Sequence, residues 1–264
     1  MSKRARGRAG IWIVAAALAA GPTEGAWAQS GEHRAPALPR DFVRLRDVDP
    51  TIIQDIRYAT ANNFTSRRLA GYEAGECIVR RVVAAALAGV QQDLRSRGLS
   101  LKMLDCYRPQ RASRAMLAWA RDGVEAAASR RYFPRLSKRD LFRLGYVAAS
   151  SGHATGAAVD LTLVELAADN RAGFDPGADY ADCTAPAETR SPEGSVDMGS
   201  GYDCFDRISH TAARSITPQQ RAWRQLLVTA MRRHGFVNYA KEWWHFSLPG
   251  ARRGAFDFPV SRQD

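Results

Sequence analysis

Apolar positions recur at helical spacing in two long stretches. Within 78–97, Val82, Val83, Ala86, Leu87, Val90 and Leu94 fall on one face, and Gly98 stands where a C′ glycine belongs, which predicts a helix. The second begins at Thr217-Pro218-Gln219-Gln220, a capping box with proline at the first helical position. Trp223, Leu226, Leu227, Ala230 and Met231 then form a predicted buried stripe, Arg232, Arg233 and His234 fill the last turn, and Gly235 ends it. A shorter amphipathic helix spans 112–120, with Met116, Leu117 and Trp119. Extended segments are predicted over 42–56, 99–104, Leu161-Thr162-Leu163 and 236–239.

The remaining stretches lack a period. Residues 125–144 carry Arg130, Arg131, Arg135, Lys138, Arg139 and Arg143 and are expected to be a solvated, irregular surface segment. Residues 165–197, rich in Asp, Gly, Pro and Ala, are an expected insertion; a loop that long in one domain is usually functional or mobile. The tail after Pro249 is expected to be peripheral.

Residues 1–28 are excluded from the fold. Lys3, Arg4, Arg6 and Arg8 precede a short apolar run from Ile11 to Ala20, and Ala26-Trp27-Ala28 fits a cleavage site, so a secretory signal peptide is expected. Residues 29–41 are an expected flexible linker and 42–264 the expected folded domain. Losing residues 1–28 lowers the formal charge from +11 to about +8, which favours loose association with anionic cell-wall polymers. Export makes a nucleic-acid partner unexpected, and no later stretch is apolar and long enough to span a membrane. In a periplasmic or secreted chain, Cys77, Cys106, Cys183 and Cys204 imply two disulfides, with three possible connectivities. The pairs Cys77–Cys106 and Cys183–Cys204 are favoured.

The chemistry gathers in two stretches. Ser151-Gly152-His153-Ala154-Thr155-Gly156-Ala157-Ala158-Val159-Asp160 places an imidazole and a carboxylate seven residues apart among small residues. Glu242-Trp243-Trp244-His245 adds a second imidazole and a further carboxylate. His153, Asp160 and His245 make a two-histidine, one-carboxylate set suited to a catalytic zinc, which leaves Glu242 as a base for a water. Arg108 projects from a strand end before Pro109, where it could steady an oxyanion or form a structural ion pair.

These stretches, in this order, resemble the zinc D-alanyl-D-alanine dipeptidases, a group within the hedgehog-like zinc D,D-peptidases. Also matching are Asp105-Cys106-Tyr107-Arg108-Pro109, Arg57-Tyr58-Ala59-Thr60 with Asn63-Phe64-Thr65, and Met198-Gly199-Ser200-Gly201-Tyr202-Asp203; together they cover roughly residues 42–248. The resemblance implies an α+β fold, a central mostly antiparallel sheet with helices packed on it. It implies Zn2+, one per chain, held by His153, Asp160 and His245, with Glu242 as general base and Arg108 stabilising the transition state. It further implies that Asp203 meets the ammonium of a small D,D-dipeptide, and that Ser151 and Tyr58 line its pocket. The sequence departs from the family pattern at Ser66, where glycine is usual, and at Gly152, where a polar residue is common. His210 and His234 are read as structural. A D,D- or L,D-carboxypeptidase acting on peptidoglycan stem peptides is the alternative; a non-catalytic binding module is disfavoured by Glu242 and Arg108.

Overall fold

The computed structural model describes residues 38–147, 151–170 and 173–262. The expected signal peptide and residues 29–37 of the expected linker lie outside the described residues. In chain order the elements are β1 (Phe42–Arg44), β2 (Ile53–Gln54), β3 (Ile78–Arg80), α1 (Arg81–Arg95), β4 (Leu99–Asp105), α2 (Gln110–Arg121), α3 (Ala127–Arg130), α4 (Lys138–Arg143), β5 (Ala158–Glu165), α5 (Pro218–Arg233), β6 (Val237–Asn238) and β7 (His245–Ser247).

The fold is α+β. Its main sheet has the order β2-β4-β5-β7-β6; β2 runs parallel to β4, and the other three pairings are antiparallel. A second, two-stranded sheet joins β1 to β3. Helices α1 and α5 touch each other and pack against β4 and β5. The centre of the sheet is buried on both faces: every residue from Ala158 to Val164 is buried, so β5 reads as a nearly continuous apolar run instead of an alternating one.

The two long helices form for the reasons visible in the sequence. In α1, Val83, Leu87, Val90 and Leu94 are buried, and Gly98 takes a left-handed φ of 72° just beyond the helix. Residues 78–80 belong to β3, so α1 is shorter than the periodicity suggests. At α5 the capping box of Thr217 and Gln220 is present. Its buried face differs in one respect. Trp223 and Leu226 are only partly buried, whereas Arg224 is buried and donates to the carbonyls of Met198, Ile208 and His210. A guanidinium can occupy the core because three carbonyls receive its protons.

Two expectations are corrected. Residues 125–144 are not a solvated loop. They hold α3 and α4, the latter with a Ser137–Asp140 capping box, and they bury Tyr132, Phe133 and Leu141. Lys138 is itself buried: its Nζ lies 4.1 Å over the Trp119 ring and reaches Asp122 at 2.6 Å. The tail is not peripheral either. Phe258 stacks on Tyr107 with ring centroids 4.1 Å apart, Phe256 meets Phe42 edge-on, and Val260 is fully buried beside Tyr72.

Both disulfides take the favoured pairing. Cys77–Cys106 ties the segment before β3 to the end of β4, and Cys183–Cys204 closes the 165–197 segment onto the stretch carrying Asp203. The described residues of that segment form no regular strand or helix beyond the end of β5. It is tied to the body by polar contacts: Lys102 Nζ donates to the carbonyls of Asn170 and Glu193, and Glu193 Oε1 accepts the Tyr202 amide at 2.6 Å.

Candidate active site

Three strands deliver three polar side chains in one row. Asp105 on β4 is paired in register with Asp160 on β5, and Asp160 with His245 on β7. Directly opposed residues on adjacent strands point to the same face, so the row lies on one side of the sheet. His153 arrives from a one-turn 3-10 segment, Gly152–Thr155, whose N-cap is Ser151 and whose end is Gly156. Gly156 takes a φ of 72°, and a Cβ there would fall 2.3 Å from Phe42 Cε1. Glycine is therefore required for the turn that aims His153.

His153 Nε2, His245 Nδ1 and Asp160 Oδ1 converge. The two nitrogens are 3.2 Å apart, and each lies close to Asp160 Oδ1, at 3.3 Å from His153 and 2.9 Å from His245. On the far side of its ring, His153 Nδ1 donates to the Cys106 carbonyl at 2.8 Å. A carbonyl only accepts, so the proton is held on Nδ1 and the Nε2 lone pair faces the cluster. Tyr202 donates to the other Asp160 oxygen at 2.9 Å. The three ligand atoms lie within 4.8 Å of one another, a donor set that could hold a metal ion. Burial pushes the Asp160 pKa up, but His153 and His245 more than reverse this and hold the carboxyl well below its usual range. Burial lowers the His245 pKa, which favours the neutral, metal-binding form.

Glu242 stands beside this cluster, with Oε2 at 3.8 Å from His245 Nδ1. Burial, then the charges of Asp160 and Asp203, raise its pKa well above the ordinary carboxylate value. Burial opposes the charge of Arg108, yet Tyr58, Asp105, Tyr72 and Asp160 more than restore it. Its guanidinium donates from Nε to Asp105 Oδ2 at 2.9 Å and lies 4.8 Å above the Tyr58 ring. Asp203 has a φ of 57°, in the left-handed region, and its Oδ2 accepts the Tyr58 hydroxyl at 2.8 Å. Burial and then the Asp160 charge raise its pKa well above the usual value.

All eight residues singled out for catalysis, metal or substrate line one cavity of about 270 Å³: Tyr58, Arg108, Ser151, His153, Asp160, Asp203, Glu242 and His245. Ser151 has a structural task as well, since its Oγ accepts the His153 amide at 3.2 Å. Met116 also lines the cavity while remaining buried. His210 and His234 lie outside it. His210 sits 3.4 Å from the Tyr146 hydroxyl, and His234 Nε2 contacts Asp93 Oδ2 at 3.1 Å, joining α5 to α1. Ser66 keeps the turn that glycine would favour, with a φ of 55°. The sequence reading passed over Tyr202, beside Asp203, and Asp105, within the Arg108 motif. The signal for both was an acid or phenol inside a motif already singled out.

A profile described as D-ala-D-ala dipeptidase matches residues 39–187 and 188–261. A D-alanyl-D-alanine dipeptidase of Streptomyces coelicolor is 34% identical over 223 residues, 84% of this chain and 98% of the relative. That of Enterococcus faecium is 31% identical over 221 residues, 83% of this chain and 98% of the relative. That of Escherichia coli is 30% identical over 212 residues, covering 80% and 86%. With both segments of the profile spanning the cavity's residues, the chain belongs to the D-ala-D-ala dipeptidase family.

Proposed function

We propose that the protein is a zinc-dependent hydrolase of the free D-alanyl-D-alanine dipeptide, releasing two molecules of D-alanine. The observation that carries the reading is the convergence of His153 Nε2, Asp160 Oδ1 and His245 Nδ1, with the Glu242 carboxylate alongside. The donor set fits zinc: two imidazoles and one carboxylate, with the Nε2 lone pair of His153 aimed inward by the Cys106 carbonyl. Zinc held there would supply Lewis acidity and bring the pKa of a water toward about 7.

The chain's own groups then divide the work. Glu242 removes a proton from the attacking water and returns it to the leaving amine as the peptide C–N bond breaks. Arg108 offers N–H donors to the oxygen that gains charge. Asp203 receives the substrate's ammonium, which favours a free dipeptide over a longer peptide, and Tyr58 and Ser151 border the bound molecule. Outside the site, residues 1–28 are a leader removed on export, 29–41 a linker and 42–264 the catalytic domain. Both disulfides support a periplasmic or secreted location.

Incubation of the mature protein with D-Ala-D-Ala, and separately with an N-acylated or pentapeptide form, tests the reading with and without chelator. Chelator-sensitive release of D-alanine from the free dipeptide alone is expected. Release from the longer peptides would move the protein to the carboxypeptidase reading and remove Asp203 from its role.

A further inference from the structure

Asp105 is fully buried and makes contacts that tie both halves of the candidate site together. Its Oδ1 accepts the Tyr72 hydroxyl at 2.6 Å. Its Oδ2 faces Arg108 twice, at 2.9 Å from Nε and 2.9 Å from Nη2, and lies 3.3 Å from His153 Nδ1. Across the strand pair stands Asp160, whose Oδ2 is 3.6 Å from the same Arg108 Nη2. One partly buried guanidinium thus lies between two buried carboxylates, one of them a candidate metal ligand.

Distance decides which carboxylate holds the arginine. With Nε and Nη2 both directed at Asp105, Arg108 is fixed by a two-nitrogen contact, whereas its approach to Asp160 is beyond hydrogen-bond length. We infer that Asp105 is a positioning residue which holds Arg108 away from Asp160, so that the Asp160 carboxylate remains available to a metal and the guanidinium faces substrate. Removing the Asp105 charge leaves a partly buried cation with the Asp160 carboxylate at 3.6 Å as its remaining acidic partner. Arg108 then closes on that ligand and competes with the metal for it. Tyr72 steadies the arrangement by occupying the other oxygen of Asp105, and the tail residue Val260 pairs with Tyr72 from behind. The inference rests on the zinc reading above for the identity of the competing cation.

The test measures zinc affinity directly, by competition with a chromogenic chelator, alongside kcat and KM. Asp105→Asn is expected to weaken zinc binding about 10–100-fold, the usual cost of losing a group that supports a metal ligand. The double variant Asp105→Asn/Arg108→Ala is expected to regain most of that affinity, because the competing cation is gone, while its kcat stays low. Tyr72→Phe, a milder change, is expected to weaken zinc binding in the same direction by a smaller factor; it serves if Asp105→Asn fails to fold. Wild-type affinity in both Asp105→Asn and Tyr72→Phe would overturn the inference. So would a loss in Asp105→Asn that persists undiminished in the double variant, since a merely structural defect would not be repaired by deleting Arg108. Failure of the wild-type protein to bind zinc would instead strike at the metal assignment itself.

Discussion

Asp160 and His245 occupy paired positions on β5 and β7, and His245 Nδ1 stands 2.9 Å from Asp160 Oδ1. A contact between residues 85 apart in sequence is thereby reduced to a neighbour relation within one sheet. Strand register sets the spacing of their Cβ atoms, and the burial of β5 on both faces resists slippage, because a one-residue shift would exchange every inward and outward side chain. Only His153 comes from outside the row, and its 3-10 turn is anchored by the Arg108 amide, which donates to the His153 carbonyl at 3.2 Å.

Glu242 lies close enough to the cluster to act on a water there, yet its Oε2 stands 3.8 Å from His245 Nδ1, beyond hydrogen-bond length. Glu242→Gln is therefore expected to leave zinc content unchanged while lowering kcat by about 10²–10⁴, the usual range for loss of a general acid–base group. Metal analysis of the purified variant beside its steady-state kinetics checks both halves. Full activity in Glu242→Gln would exclude the mechanism proposed above.

Asp203 carries a stability cost that its proposed task explains. Burial raises its folded pKa well above the unfolded value, so the native state binds its proton more tightly than the unfolded state does. Its contribution is most favourable below the unfolded pKa of about 3.9, and it declines as pH rises toward the folded pKa. At neutral pH, Asp203→Asn should therefore raise the melting temperature, by roughly 2–4 °C for each kcal/mol recovered. Asparagine tolerates the left-handed φ of 57° at this position, so the backbone need not move. The same variant should raise KM for the free dipeptide by tenfold or more, since about 1.4 kcal/mol corresponds to that factor. In the wild-type enzyme, kcat/KM for the free dipeptide should fall on the acid side at a pH above the ordinary carboxylate range. A thermal melt and a pH profile of kcat/KM together test the assignment.

The Cys77–Cys106 bridge closes a loop of 29 residues, and the Cys106 carbonyl is what holds the proton on His153 Nδ1. Loop-closure entropy assigns such a bridge about 3–4 kcal/mol. Replacing both cysteines with alanine is expected to cost that much in chemical denaturation. Zinc affinity should also drop, because the end of β4 is then less firmly placed behind the imidazole. The Cys183–Cys204 pair, which closes the segment leading to Asp203, should show the opposite balance, with KM changing more than metal affinity.

Much of this candidate site was legible because its candidate ligands fall inside short motifs. Helices α1 and α5 were legible because a repeating apolar face and end signals agree. The helices within 125–144 were not, because their buried residues Tyr132, Phe133 and Leu141 are scattered among arginines and lysines, several of whose charged heads lie over aromatic rings. The tail misled for a related reason. Phe256, Phe258 and Val260 alternate like a strand, but they pack on Phe42, Tyr107 and Tyr72, and no local period reveals partners 150 to 220 residues away. Asp105 was passed over because, apart from Arg108 three residues on, its partners Tyr72, His153 and the paired Asp160 are distant in sequence.

Gly156 offers the sharpest link between backbone and site. Its φ of 72° and the 2.3 Å approach of a built Cβ to Phe42 Cε1 are separate obstacles to a side chain. The first costs about 1–2 kcal/mol and the second, as overpacking, about 1–3 kcal/mol, so Gly156→Ala should lose roughly 2–5 kcal/mol of stability. Phe42 is a core residue, edge-on to Tyr107, Phe256 and Phe258, and cannot withdraw without loosening the tail. The turn will therefore yield in part, carrying His153 away from Asp160 and His245. Zinc affinity should fall together with stability. Adding Phe42→Leu should relieve the steric share while leaving the backbone share, so the double variant should recover part of the affinity relative to Gly156→Ala. Equal zinc affinity in Gly156→Ala and wild type would mean that His153 is aimed by its Cys106 hydrogen bond alone, with the glycine turn serving only the packing of Phe42.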